Sequence, residues 1–177
     1  WHTDWVRRFG IDGFRADTVK HVEREFWRYF TQRVRQRLAK GGKTKFFMFG
    51  EAFDYDAARI AEHTDPANAG VSVLDFPLKQ ALESVFGHEQ AGFQRLAGAL
   101  HLQDGPYANP YELMTFYDNH DMPRIDASDE GFIDAHNWLF TARGIPVTNI
   151  PDTFIEEVAD HAMMLLRSEE RRVGKEC

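Results

Sequence analysis

The chain has 177 residues, 43% of them hydrophobic and 14% aromatic, enough for one domain with a core of its own. A net charge of −7, without any run of Lys or Arg, argues against nucleic acid or an anionic membrane surface as a partner, and no apolar stretch approaches the roughly 20 residues of a membrane-spanning helix. The single cysteine stands last, at Cys177, and a body without cysteine suits an oxidising compartment but does not require one.

Trp5, Val6 and Phe9 read as the end of a helix that Gly10 terminates. Ile11 to Asp17 follows as a strand. Val22, Phe26, Phe30, Val34 and Leu38 recur at helical spacing with Tyr29 beside them, and Gly41-Gly42 stops the run. Lys45 to Gly50 is a second strand, so dense in Phe and Met that both its faces should be buried. A short amphipathic stretch, Asp56 to Glu62, leads to a third strand, Val71 to Phe76, and Pro77 suits the first turn of the next helix. Leu78, Leu82, Val85 and Phe86 mark the buried face of that helix, and Phe93, Leu96, Ala97 and Leu100 a second helical piece. Gln103 to Tyr111, with Pro106 and Pro110, reads as a loop. Leu113 to Tyr117 is a fourth strand; Phe132, His136, Leu139 and Phe140 face inward from a further helix, and Gly144 to Val147 is a fifth strand. This alternation, without a linker rich in Pro, Gly or Ser, predicts an α/β fold in which helices cover a parallel sheet.

Three strands run into acidic segments: Gly10-Ile-Asp-Gly-Phe-Arg-Ala-Asp-Thr-Val-Lys-His21, Phe49-Gly-Glu-Ala-Phe53 and Phe116-Tyr-Asp-Asn-His-Asp121. Side chains alternate along a strand, so Arg15 and Asp17 share a face, where the guanidinium would hold the carboxylate charged. Glu51, among Phe47, Phe49 and Phe53, should be harder to ionise because burial disfavours its charge. Each acid also has a plainer reading. Asp17 can cap a helix starting near Thr18 with Arg15 as its ion-pair partner, Glu51 can be a cap or loop carboxylate, and Asp118-Asn119-His120-Asp121 can be a turn. A zinc site is poorly supported by one His between two acids. Asp12 and Asp118 read as structural, and His2, His63, His88, His101, His136 and His161 show no partner pattern.

In order and spacing, and with the neighbours Arg15, Lys20, His21, Gly50, Asn119 and His120, the three segments resemble the signature regions of the α-amylase family of retaining glycoside hydrolases, across residues 1–147. The resemblance implies a partial (β/α)8 TIM barrel, about strands 4 to 8 and incomplete, because a whole barrel takes about 250 residues. It implies that Asp17 is the nucleophile, with Arg15 holding it charged and oriented, and that Glu51 is the acid/base. Asp121 would bind sugar hydroxyls and favour the oxocarbenium-like ring, with His120 donating to ring hydroxyls. Lys20 and His21 match positions on the leaving-group side, and the His21 backbone carbonyl matches a calcium ligand. Phe53 either stacks on a sugar face or belongs to the core.

The function so implied is hydrolysis of internal α-1,4-glucosidic bonds of starch or maltodextrin by double displacement. The alternatives are an α-glucan transglycosylase, cyclodextrin-forming or branching, on the same triad, and a non-catalytic homologue or inactive fragment. An α-glucan partner, a structural calcium ion, no organic cofactor, and a secreted or periplasmic location belong to the same expectation. From Thr148 the resemblance ends: residues 148–166 are expected to be a divergent loop or a frameshifted segment, and residues 167–177 resemble a translated sequencing adapter. The chain alone is expected to be inactive, since a barrel lacking its first strands cannot close.

Overall fold

Three short strands make a parallel sheet in chain order: β1 (Gly13–Ala16), β2 (Phe47–Gly50) and β3 (Ser72–Val73). In this computed structural model the described residues are 1–142 except 88, 90 and 104, all within the unit Trp1–Val147. The expected strand at 144–147 and the segments 148–166 and 167–177 lie outside them. In register, Gly13 faces Phe47, Arg15 faces Phe49, and Gly50 lies between Ala16 and Val73. Parallel strands need a crossover, which α2 (Arg24–Lys40) supplies between β1 and β2, and α3 (Ala57–Ala61) between β2 and β3. The fourth expected strand is reduced to one parallel bridge between Leu74 and Met114, in which the Met114 N–H donates to the Val73 carbonyl at 3.0 Å and the Asp75 N–H to the Met114 carbonyl at 2.9 Å.

Local chemistry sets the element ends. Gly10, at φ 68°, closes α1 (His2–Phe9) in the left-handed conformation that its missing side chain permits. The third strand stops short of Phe76 because Asp75 takes the helix-capping role. Its fully buried carboxylate accepts the Leu78 N–H at 3.1 Å, and with Pro77 in the first turn α4 (Phe76–Phe86) begins at Phe76.

The buried stripe of α2 is Trp27, Thr31, Val34 and Leu38, whereas Val22 and Phe26 are exposed. The helix is turned this way because its amphipathic residues find partners inside. The Trp27 indole N–H donates to the Val19 carbonyl at 3.0 Å, and the Thr31 hydroxyl to the Ala69 carbonyl at 2.9 Å. These residues pack with Val6, Met48 and Val71 into one core, which Phe14 joins from β1. A second core brings together Leu78, Leu82 and Val85 of α4, Leu96 of α5 (Gln94–Leu100) and Leu139 of α6 (Asp129–Thr141). Phe93 and Phe140, expected to face inward, are exposed, and Ala135 with Leu139 fills the inner positions of α6. Strand β2 is covered on one face only. Met48 and Gly50 are buried, but Phe47 is 36% exposed, so the sheet face carrying Arg15, Phe47 and Phe49 remains partly open.

Candidate active site

At the end of β1 the chain turns sharply: Thr18 adopts φ 49°, and a 3-10 turn covers Val19–His21. Thr18 occupies the cap position of that turn without a side-chain capping bond, so Asp17 is not spent as a cap. The turn is tied to β2 through Glu51, whose N–H donates to the Ala16 carbonyl at 2.9 Å and whose carbonyl accepts the Val19 N–H at 2.9 Å. This crossing requires Gly50, because a Cβ there would stand 2.2 Å from the Val19 Cγ2. The sequence Gly50-Glu51 thus places an acid at the strand end with its backbone held on both sides.

The side chains of Arg15, Asp17 and Glu51 meet above these strand ends. Arg15 Nη2 lies 3.0 Å from Glu51 Oε2 and 3.5 Å from Asp17 Oδ1, so those two oxygens are at most 6.5 Å apart, the sum of the two distances. Arg15, expected to serve Asp17, is therefore closer to Glu51. The two carboxyls differ in exposure, 68% for Asp17 against 18% for Glu51. Glu51 is pushed above the usual carboxylate range, first because a protonated Glu51 can donate a hydrogen bond to Asp17, then through burial. Repulsion from Asp17 and Asp121 adds to the shift, and the Arg15 guanidinium opposes it. The direction agrees with the sequence expectation, but the neighbouring acid contributes more than the phenylalanine surroundings.

Asp121, in the segment after Met114, is near enough for its negative charge to help push the Glu51 pKa up. Its own loop is a turn: the Asn119 side-chain oxygen accepts the Asp121 N–H at 3.0 Å, and His120 Nε2 lies 3.1 Å from Asp121 Oδ2. The turn reading and the cluster reading both describe this segment, since the turn presents the acid. Asp118, at the start of the loop, is half-buried beside Arg124 at 3.4 Å, with its Oδ1 unpartnered. Burial pushes its carboxyl up, while Arg124 and the backbone N–H groups of Asn119 and Ile125 favour its charge. Asp12 pairs with Lys43 at 2.6 Å. Arg124 escaped the sequence reading; a cation a few residues beyond an acidic turn is the signal that could have found it.

Lys20 and Phe53 are brought together: the Lys20 ammonium donates to the Phe53 carbonyl and lies 5.5 Å from the centre of its ring. Phe53 is half-exposed and meets Phe76 and Tyr55 edge-on at 5.0 and 5.4 Å, so it is partly core and partly available surface. The His21 side chain is exposed. Among the described residues no group of three or more His, Cys, Asp or Glu is arranged to hold a metal ion.

Two acids of unequal exposure on one guanidinium, with a third acid nearby, form a cluster suited to acid/base and nucleophilic work on one bond. The family model for the α-amylase catalytic domain matches residues 1–148. The chain belongs to the α-amylase family. It is 38% identical over 160 residues to the α-amylase of Streptomyces lividans, covering 81% of this chain and 17% of that enzyme. To the cyclomaltodextrin glucanotransferase of Bacillus licheniformis it is 32% identical over 141 residues, covering 77% and 19%. Among solved structures, an Anoxybacillus α-amylase superposes with a TM-score of 0.71 at 30% identity, over 82% of this chain and 32% of that one. The Geobacillus thermoleovorans α-amylase, solved with acarbose, gives 0.65 at 32% identity over 82% and 33%. The chain thus spans less than a fifth of the curated relatives and about a third of the solved ones. The α-amylase catalytic domain is a (β/α)8 barrel, of which the parallel strands here form a part.

Proposed function

We propose that the chain is the later part of a retaining α-amylase barrel, with β1, β2, β3 and the Leu113 to Tyr117 segment as barrel strands four to seven. The parent protein would hydrolyse internal α-1,4-glucosidic bonds of starch or maltodextrin. The observation that carries this reading is the meeting of Arg15, Asp17 and Glu51 at the C-terminal ends of the parallel strands β1 and β2, where barrels of this class build their active sites, with the charge of Asp121 felt at Glu51. Two catalytic carboxyls lie about 5–5.5 Å apart in retaining glycosidases and about 6.5–9.5 Å apart in inverting ones. The 6.5 Å ceiling between Asp17 and Glu51 favours retention.

In the first step Asp17 attacks the anomeric carbon while Glu51 gives its proton to the glycosidic oxygen; the C–O bond to the leaving sugar breaks and a glycosyl ester on Asp17 forms. Glu51, now a carboxylate, takes a proton from water, whose oxygen attacks the same carbon and frees Asp17 with configuration retained. A raised Glu51 pKa keeps the donor protonated nearer neutrality. Arg15 steadies both carboxylates through the cycle. Asp121 and His120 hold sugar hydroxyls as the ring flattens, and Lys20, His21 and Phe53 line the leaving-group side. A structural calcium ion, with the His21 carbonyl among its ligands, would need five or more further oxygens, since calcium takes about six to eight. Secretion or export to the periplasm fits a polymer too large to enter a cell.

In a complete barrel carrying this segment, Asp17→Asn should abolish turnover while the fold persists by circular dichroism; near-normal turnover would contradict the assignment. The glucanotransferase relatives support a second reading, in which a sugar hydroxyl replaces water as acceptor. Chromatography of products from a maltooligosaccharide separates the two, since a transferase yields longer or cyclic chains.

A further inference from the structure

A pocket of about 240 Å³ opens at the same end of the sheet as Glu51, between the loop after β2, the start of α4 and the end of α5. Tyr55, Gln80, Arg95 and His101 surround it, and Pro77 and Gly98 with small alanines make its floor. We propose that this pocket is an accessory glucan site that holds one sugar ring of a long chain beyond the leaving-group side of the cleft, an inference that rests on the glycosidase reading above.

Four observations carry it. The volume lies below the roughly 300–1,000 Å³ of sites for drug-sized ligands, which suits a single ring rather than an oligosaccharide. The lining combines an aromatic face and an apolar floor with amide, guanidinium and imidazole groups, the mixture needed to cover the C–H face of a sugar and bind its hydroxyls. The pocket adjoins the acidic site through one aromatic contact: the Tyr55 ring on its wall meets the Phe53 ring edge-on at 5.4 Å, and Phe53 stands two residues beyond Glu51. Gly98 lines the pocket, and a Cβ built there meets nothing within 4 Å, so a longer side chain at this position has room to enter the space. His101 closes the pocket from a left-handed backbone, φ 48°, a conformation that costs energy for a residue with a side chain and so needs support from its surroundings. Its ring packs on Tyr107 at 5.7 Å.

Gly98→Gln in a complete barrel carrying this segment tests the proposal, because it fills the pocket while replacing a poor helix former inside α5. Gly98→Ala adds only a methyl group and serves as the control for the helix. Gly98→Gln should lower kcat/KM on amylose about fivefold, the loss that one sugar contact of ordinary strength produces, and leave kcat/KM on a short chromogenic maltooligosaccharide unchanged. Unchanged activity on amylose, or an equal loss on both substrates, would overturn the proposal. If the unsubstituted barrel cleaves neither substrate, the glycosidase reading fails instead. Retention on immobilised amylose then decides the pocket: earlier elution of Gly98→Gln supports it, and co-elution with the unsubstituted protein overturns it.

Discussion

Glu51 sits between two opposing influences, and each can be removed separately. Asp17→Asn takes away the neighbouring carboxylate that raises the Glu51 pKa most, so the pKa should fall; Arg15→Gln takes away the opposing cation, so it should rise. Titration of carbon-13-labelled Glu51 by NMR reads both, and shifts in the same direction would refute the electrostatic account. With Glu51 as the proton donor of the proposed first step, activity should disappear as pH rises through its pKa, and Arg15→Gln should carry any residual activity to higher pH. Asp17, Glu51 and Asp121 were legible as candidates because each closes a strand-like run with its neighbours in order. The preference of Arg15 for Glu51 was not, since it depends on the register that sets Arg15 opposite Phe49, two residues from Glu51. His136 was read as an inward-facing residue without a partner. It donates from Nδ1 to the Phe132 carbonyl at 2.7 Å, which leaves Nε2 to accept the Tyr117 hydroxyl at 2.9 Å, and burial pushes that phenol up to about 12. Tyr117→Phe should therefore cost about 1 kcal/mol and lower Tm in calorimetry, by leaving the ring nitrogen unpaired.

The elements were legible in kind and order more than in extent. Helix ends followed glycine and proline signals, as at Gly10, Gly41 and Pro77, because those residues act locally. The third strand was overextended because Asp75 reads as part of an apolar run until its carboxylate is seen capping α4. The face of α2 was read correctly at Val34 and Leu38, which are buried, but not at Val22, Phe26 and Tyr29, because spacing alone cannot tell that Trp27 and Thr31 find carbonyl partners inside. Gly50 shows how closely the elements fit: Gly50→Ala drives a methyl into Val19 and should destabilise by about 1–3 kcal/mol in urea unfolding. Adding Val19→Ala should recover part of that loss despite removing buried carbon atoms. A double variant as unstable as the sum of the two single ones would show that the clash is not the cause.

On the scale of the molecule, the described sheet has a partly open face, and no other named strand pairs with β1 beyond β2 among the described residues. An unpaired edge beside exposed Phe47 favours association, so the 177-residue chain expressed alone should collect in the insoluble fraction; soluble, starch-degrading material would contradict this. The family was legible from three short segments because a barrel gathers the ends of separate strands at one rim, so chemistry far apart in sequence must recur in fixed order. The open sheet face was not, since the Phe- and Met-rich β2 pattern describes a strand covered on both sides. The central claim is that Asp17 attacks the sugar. In a complete barrel carrying this segment, Glu51→Gln removes the group that activates water, and a glucosyl fluoride supplies a leaving group that needs little protonation, so the covalent intermediate should accumulate. Mass spectrometry of the digested protein should find the glycosyl increment on the peptide that contains Asp17; the same increment on another residue would contradict the account.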